Sequence, residues 1–249
     1  MLVTLPTGIL DGVDHFNVVE LDELRGKQQN YLADKELVSE NIGHIPKILE
    51  DMILSLQTAQ GLKWKGKISE VIWKLPTSDI ETVLVKVREN TYGPRFYHVA
   101  VCTHEGCEHV NKNLRLDLDT LEIKRISPEI LAKKPVTVLP KSNQEVELKP
   151  LFLRDLFDAI KITTGKGKEL ITSILALSVK RLGDKDKVTS KDIDALSMRD
   201  IMYMQEQADT ATLEGSIDTD ITIECEKCSK DFEMKLNVFH PSFFAPTKG

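Results

Sequence analysis

The chain has 249 residues, a net charge of −6, 41% hydrophobic and 29% charged residues. That length buries a substantial core, as one large domain or two small ones, and the composition excludes disorder. The acidic excess counts against a general nucleic-acid binder, whose phosphate contacts need a basic face; "RGKQQ" and "GKGKE" are too short to make one.

The opening "MLVTLPTGILDG" lacks the basic segment and long apolar run of a secretion signal. Its "TLPTGIL" is extended and could dock on a partner. "FNVVELDEL" reads as a strand and "KQQNYLADKEL" as a helix. In "IPKILEDMILSLQ", Ile45, Ile48, Leu49, Met52, Ile53 and Leu56 follow helical spacing. "SDIETVLVKVREN" predicts a third helix, with Ser78 as N-cap and an acidic first turn, and "YG" breaks it. The segment "YHVAVCTHEGCEHVNKNLRLDL" follows.

The second half repeats this order. "VTVLPKSNQEVELKPL" matches the opening, and "FLRDLFDAIK" and "ELITSILALSVKRLG" read as helices. "TSKDIDALSMRDIMYMQEQAD" aligns with the Ser78 helix through Asp-Ile at 79–80 and at 192–193. The offset is roughly 115–135 residues, too long for a solenoid unit and suited to a duplicated α+β module. The alternative is coincidence between two ordinary amphipathic series. The fold class expected is α+β, with two related helical modules over residues 1–130 and 131–249. Each module ends in a cysteine-tipped β-hairpin.

All four cysteines lie at those tips. "FYHVAV" leads into Cys102 and "NLRLDL" leaves Cys107, while "DITIE" leads into Cys225 and "FEMKLNV" leaves Cys228. Alternation on both sides predicts hairpins, and a tight tip aims two thiolates at one point. Cys225-x2-Cys228 has a standard metal-ligand spacing, and Cys102-x4-Cys107 is at its long end. One tetrahedral zinc shared by Cys102, Cys107, Cys225 and Cys228 would be closed and structural, clipping the halves together. A mixed site using His104 or His109, or four metal-free thiols, are the alternatives. A thioredoxin-like pair does not fit, because a strand rather than a helix follows Cys228. His98, outside the tip, reads as a strand-surface residue.

Catalytic patterns are absent. "TTGKGKEL" at 163–170 imitates a phosphate loop but places Glu169 where a magnesium-binding hydroxyl belongs; it reads as a glycine turn between helices. There is no G-x-S-x-G elbow, H-E-x-x-H or dinucleotide fingerprint. Asp117/Asp119 and Asp218/Asp220 read as solvated strand ends. No nucleophile has an evident base, so the expectation is not an enzyme. "LITSILALSV" is about half the length of a membrane span and reads as a buried helix. In the tail "FHPSFFAPTKG", Phe239, Phe243 and Phe244 either cap the second hairpin or anchor a partner.

The order "LPTG", strand, helices, "YG", then a cysteine-tipped hairpin ending in "LDLDTL" resembles the baseplate proteins of T4-type contractile-tailed phages. The second half, closing with "CEKC" and an aromatic tail, is similar to the end of the same family. Family hairpins typically read C-P-x-C-G; Cys225 and Cys228 keep the spacing without the Pro and Gly, and the first pair carries two inserted residues. The resemblance implies a non-enzymatic protein acting on the baseplate hub, with other hub proteins as partners, and the length of the chain points to the member that promotes hub assembly. It would act in the host cytoplasm during phage assembly. The alternatives are a hub subunit retained in the virion tail and a zinc-ribbon module that binds nucleic acid.

Overall fold

The computed structural model describes residues 1–34, 42–133, 135–165, 170–210 and 215–246. Strand β1 (Leu2–Asp11) turns back into β2 (Asp14–Leu21), with Val3 opposite Val19 and a register shift between Thr4 and Ile9. Gly8 lies in that irregular stretch with φ +74°, and a Cβ there would lie 2.6 Å from the Asn17 Cβ. Only glycine meets both conditions. "TLPTGIL" is therefore not a free docking arm, since Leu5 and Thr7 are fully buried.

Helix α1 (Gly26–Ala33) follows the first hairpin. The last part of its expected span, 35–37, lies outside the described residues. Helix α2 (His44–Met52) runs directly into β3 (Ile53–Thr58), which completes an antiparallel sheet in the order β1-β2-β3. The helix expected to continue through Leu56 therefore stops at Met52. Ile53 and Leu56 are buried, but as strand residues opposite Leu21 and Val19. A register shift between Glu20 and Leu21 brings residues three apart to the same side, which mimics helical spacing.

Helix α3 (Ile68–Val71) leads towards α4 (Thr77–Tyr92), which buries Ile80, Val83, Leu84 and Val87. Pro76, not Ser78, occupies the N-cap position, and Gly93 ends the helix with φ 82°. Ser78 is buried in the first turn beside Thr7, their hydroxyl oxygens 3.3 Å apart. Next to it, the Asp79 carboxylate accepts the Thr7 and Gly8 N–H groups at 2.8 and 2.7 Å. Strands β4 (Arg95–Val101) and β5 (Val110–Asp117) then form the first cysteine hairpin.

The short strand β6 (Ile123–Lys124) and helix α5 (Pro128–Leu131) lead to a second three-stranded sheet. Strands β7 (Val136–Val138), β8 (Glu145–Leu148) and β9 (Val179–Leu182) are antiparallel in that order. Helices α6 (Leu153–Gly165) and α7 (Leu170–Ser178) separate β8 from β9. Again a helix expected to run on stops early, at Ser178, because Val179 pairs with Leu148. Most of the glycine turn expected near "TTGKGKEL" lies outside the described residues.

The last long helix of the sequence reading is two helices, α8 (Ser190–Asp194) and α9 (Met198–Thr210). Asp192 closes a capping box with Thr189 in α8. It is Asp200, near the start of α9, that does what Asp79 does, accepting the Lys141 and Ser142 N–H groups at 2.8 and 3.2 Å. Asp79 and Asp200, rather than Asp79 and Asp192, thus share the role of accepting two backbone N–H groups distant in the chain. Strand β10 (Ser216–Ile217) returns to pair with β6, and β11 (Asp220–Glu224) with β12 (Asp231–Lys235) makes the second cysteine hairpin.

Among the described residues the apolar side chains gather in three cores. The largest joins the first sheet, α2 and α4 to Leu153, Ile217, Leu236, Val238, Phe243 and Phe244. A second lies between β7–β9 and α7–α9, from Leu139 to Met204. The third joins the two cysteine hairpins. Beyond Gly215, the side chains of Ile217, Leu236, Val238, Phe243 and Phe244 pack in the first of these cores, that of the first body. Phe243 and Phe244 are buried in that body, with Phe243 5.3 Å from the Phe96 ring, and Phe239 is half-buried at its edge. The two buried rings present no surface to a partner, and they cap the first body rather than the second hairpin. Among the described residues, no helix is long and apolar enough to cross a membrane.

Candidate metal centre

Each hairpin supplies two cysteines from a tight tip built in the same way. The Cys102 N–H donates to the His109 carbonyl at 2.9 Å, and the Cys225 N–H donates to the Lys230 carbonyl at 3.0 Å. In both tips the acceptor is the second residue after the second cysteine. The longer first tip also needs Gly106, whose φ is 76°.

The tips face one another and the four sulfurs converge. Cys102 Sγ lies 3.9 Å from Cys228 Sγ, and Cys107 Sγ lies 3.7 Å from Cys225 Sγ. All four ligand atoms fall within 4.8 Å of one another. These separations are far beyond a disulfide of about 2.05 Å. Zinc bound to four thiolates at about 2.3 Å sets its sulfurs about 3.8 Å apart. The donor set and its spacing thus fit a tetrahedral thiophilic ion, with no corner left for water or substrate. Cys102 and Cys225 are buried, and Cys107 and Cys228 half-buried.

The sulfurs are electrostatically unequal. Burial pushes the Cys102 thiol up to about 12, against a single backbone donor at His104. Burial also opposes the Cys225 thiolate, but the backbone N–H groups of Cys228 and Lys227 help pull it down to about 6. A cation among the sulfurs would favour the thiolate form at all four positions.

Neither candidate histidine joins the cluster. His104 Nε2 lies 2.7 Å from the Asp231 carbonyl, which ties the first tip to the second hairpin. His109 Nε2 lies 3.8 Å from the Glu226 carboxylate. Asn111 escaped the sequence reading although it is fully buried beside Cys225. A register shift between His98 and Ala100 changes which positions of the hairpin face inward, so strand alternation alone did not mark it.

The fold is thus a mixture of helices and sheets that brings together four cysteines able to hold a metal ion. The family described as T4 bacteriophage base plate protein matches residues 26–245, and the chain belongs to it. Comparison with curated proteins and with solved structures returned no match.

Proposed function

We propose that this baseplate protein is a non-enzymatic factor that promotes assembly of the baseplate hub, held in shape by one structural zinc on Cys102, Cys107, Cys225 and Cys228. The observation that carries the metal reading is the four-sulfur cluster, whose shortest separations match a tetrahedral thiolate site. The baseplate reading rests on the family match. Other hub proteins are the partners, met in the host cytoplasm as the tail assembles.

The reading includes two related α+β modules. It is supported by two sheets of the same strand order, by helix-to-strand junctions at Met52/Ile53 and Ser178/Val179, and by the clasps of Asp79 and Asp200. In this view the modules share their ends. The second module's core spans Leu139 to Met204, and its hairpin and tail complete the first body.

With Phe243 and Phe244 buried, partner contacts fall to apolar side chains that remain exposed. Val99, Val101 and Val110 on the first hairpin are such a set, with Val101 directly opposite Val110. A hub subunit retained in the virion would use the same surfaces. The nucleic-acid alternative is disfavoured by the net charge of −6.

Quantitative mass spectrometry of purified particles beside infected-cell lysate tests the role. Abundance in lysate with absence from the particle supports an assembly factor; a fixed copy number in the particle makes it a hub subunit. Metal analysis of protein purified without chelator should find about one zinc per chain, and background metal would remove the clip.

A further inference from the structure

Asn111 sits on β5 of the first hairpin, fully buried, and reaches across to the tip of the second. Its Oδ1 accepts the Glu226 N–H at 2.9 Å. Its Nδ2 lies 3.3 Å from the Ala100 carbonyl, 3.5 Å from the His109 carbonyl and 3.9 Å from Cys225 Sγ. One amide therefore fastens its own hairpin, holds the backbone just after Cys225, and directs an N–H toward that sulfur.

The second hairpin has no reciprocal group. Asn111 is the fourth residue after Cys107, and the fourth residue after Cys228 is Phe232, buried in the small core between the hairpins. The Cys225 sulfur thus has the side-chain amide in addition to the Lys227 and Cys228 backbone donors. N–H groups aimed at a thiolate spread its charge, and groups behind metal ligands orient them and tune affinity.

We infer that Asn111 is a positioning residue of the metal centre, fixing the Cys225 thiolate and holding the second tip against the first. The inference rests on the metal reading above. A merely structural Asn111 would fill space between the hairpins, and its loss would weaken metal-loaded and metal-stripped protein alike.

Asn111→Asp retains the oxygen that accepts the Glu226 N–H but removes the amide donors and adds negative charge beside the sulfurs. Asn111→Ser shortens the side chain without adding charge and is the variant to read where the aspartate form fails to fold. Full-length wild type and variants would be titrated with cobalt(II), and zinc affinity obtained by competition against a chromophoric chelator. The expected result is a tetrathiolate cobalt spectrum in wild type, with shifted sulfur-to-cobalt bands and roughly 10–100-fold weaker zinc in the variants. Unchanged bands and affinity in a folded variant would overturn the role of Asn111 and leave the metal site standing. A wild type without a tetrathiolate spectrum would overturn the metal reading itself.

Discussion

Glu108 and Ser229 adopt the same left-handed backbone, with φ of 45° and 53°, each directly after the second cysteine of its hairpin. A side chain in that region strains the backbone by about 1–2 kcal/mol, and glycine escapes the strain at an entropic cost of roughly 0.5–1 kcal/mol. The position where the resemblance led one to expect glycine thus keeps the glycine conformation without the glycine. Ser229→Gly should raise stability by about 0.5–1 kcal/mol. A thermal melt would show the midpoint rising by about 1–4 °C. A fall would mean that the serine side chain makes a compensating contact.

Asp79 supplies a pH signature. Burial raises its carboxyl to about 7 from an ordinary 3.8, against the opposing N–H groups of Thr7 and Gly8. The folded state therefore holds this proton more tightly than the unfolded chain does. Its contribution to stability is complete below about pH 4 and is lost as pH rises towards about 7. Asp79→Asn removes the titration, so the wild-type melting temperature minus the variant's should shrink across that window. The cysteines titrate in both proteins and drop out of the difference. A difference that grew with pH would show Asp79 ionised throughout.

Phe243 decides between tail as core and tail as arm. Its ring is buried beside Phe96, its carbonyl accepts the Arg88 Nε–H at 2.9 Å, and the Arg88 guanidinium lies 4.6 Å from the Phe96 ring centre. Phe243→Ala should cost about 3–5 kcal/mol, as large-to-small changes in packed cores do. Chemical denaturation would measure the loss. Unchanged stability with lost binding to hub proteins would restore the arm.

Gly215 is where the chain rejoins the first body. Its N–H donates to Thr7 Oγ1 at 2.8 Å, and a Cβ there would sit 2.5 Å from the Pro6 carbonyl oxygen and 2.6 Å from that of Lys124. Both obstacles are backbone, so they cannot swing aside. Gly215→Ala should destabilise the protein by about 1–3 kcal/mol. Hydrogen exchange should quicken first in β6 and β10, and exchange rates like those of wild type would show that the junction yields freely.

The hairpins, the cysteine pairs and the helix starting near Ser78 were legible because each is announced by local chemistry. Alternating residues on either side of Cys102 and Cys228 specify strands, and "YG" marks the end of α4 where Gly93 takes positive φ. The helix ends at Met52 and Ser178 were not legible. Ile53 and Val179 fit the apolar series of the preceding helices, and only pairing with Leu21 and Leu148 makes them strand. Asp79 and Asp200 were missed as a pair because each acts on backbone amides far away in the chain, which no local pattern records.

By itself the sequence determined that helices and strands mix, that cysteines sit at hairpin tips, and that the chain resembles the baseplate proteins. The first two rest on periodicity, turn chemistry and ligand spacing within short windows, and the third on short motifs such as "LDLDTL" and "CEKC". Tertiary structure alone decided that the four sulfurs meet, that Asn111 stands behind Cys225, and that Phe243 and Phe244 close the first body. Those outcomes depend on contacts between segments more than a hundred residues apart, such as Cys107 with Cys225 and Arg88 with Phe243. The entropy of bringing distant segments together is offset by burial across the whole molecule, which no single stretch of sequence displays.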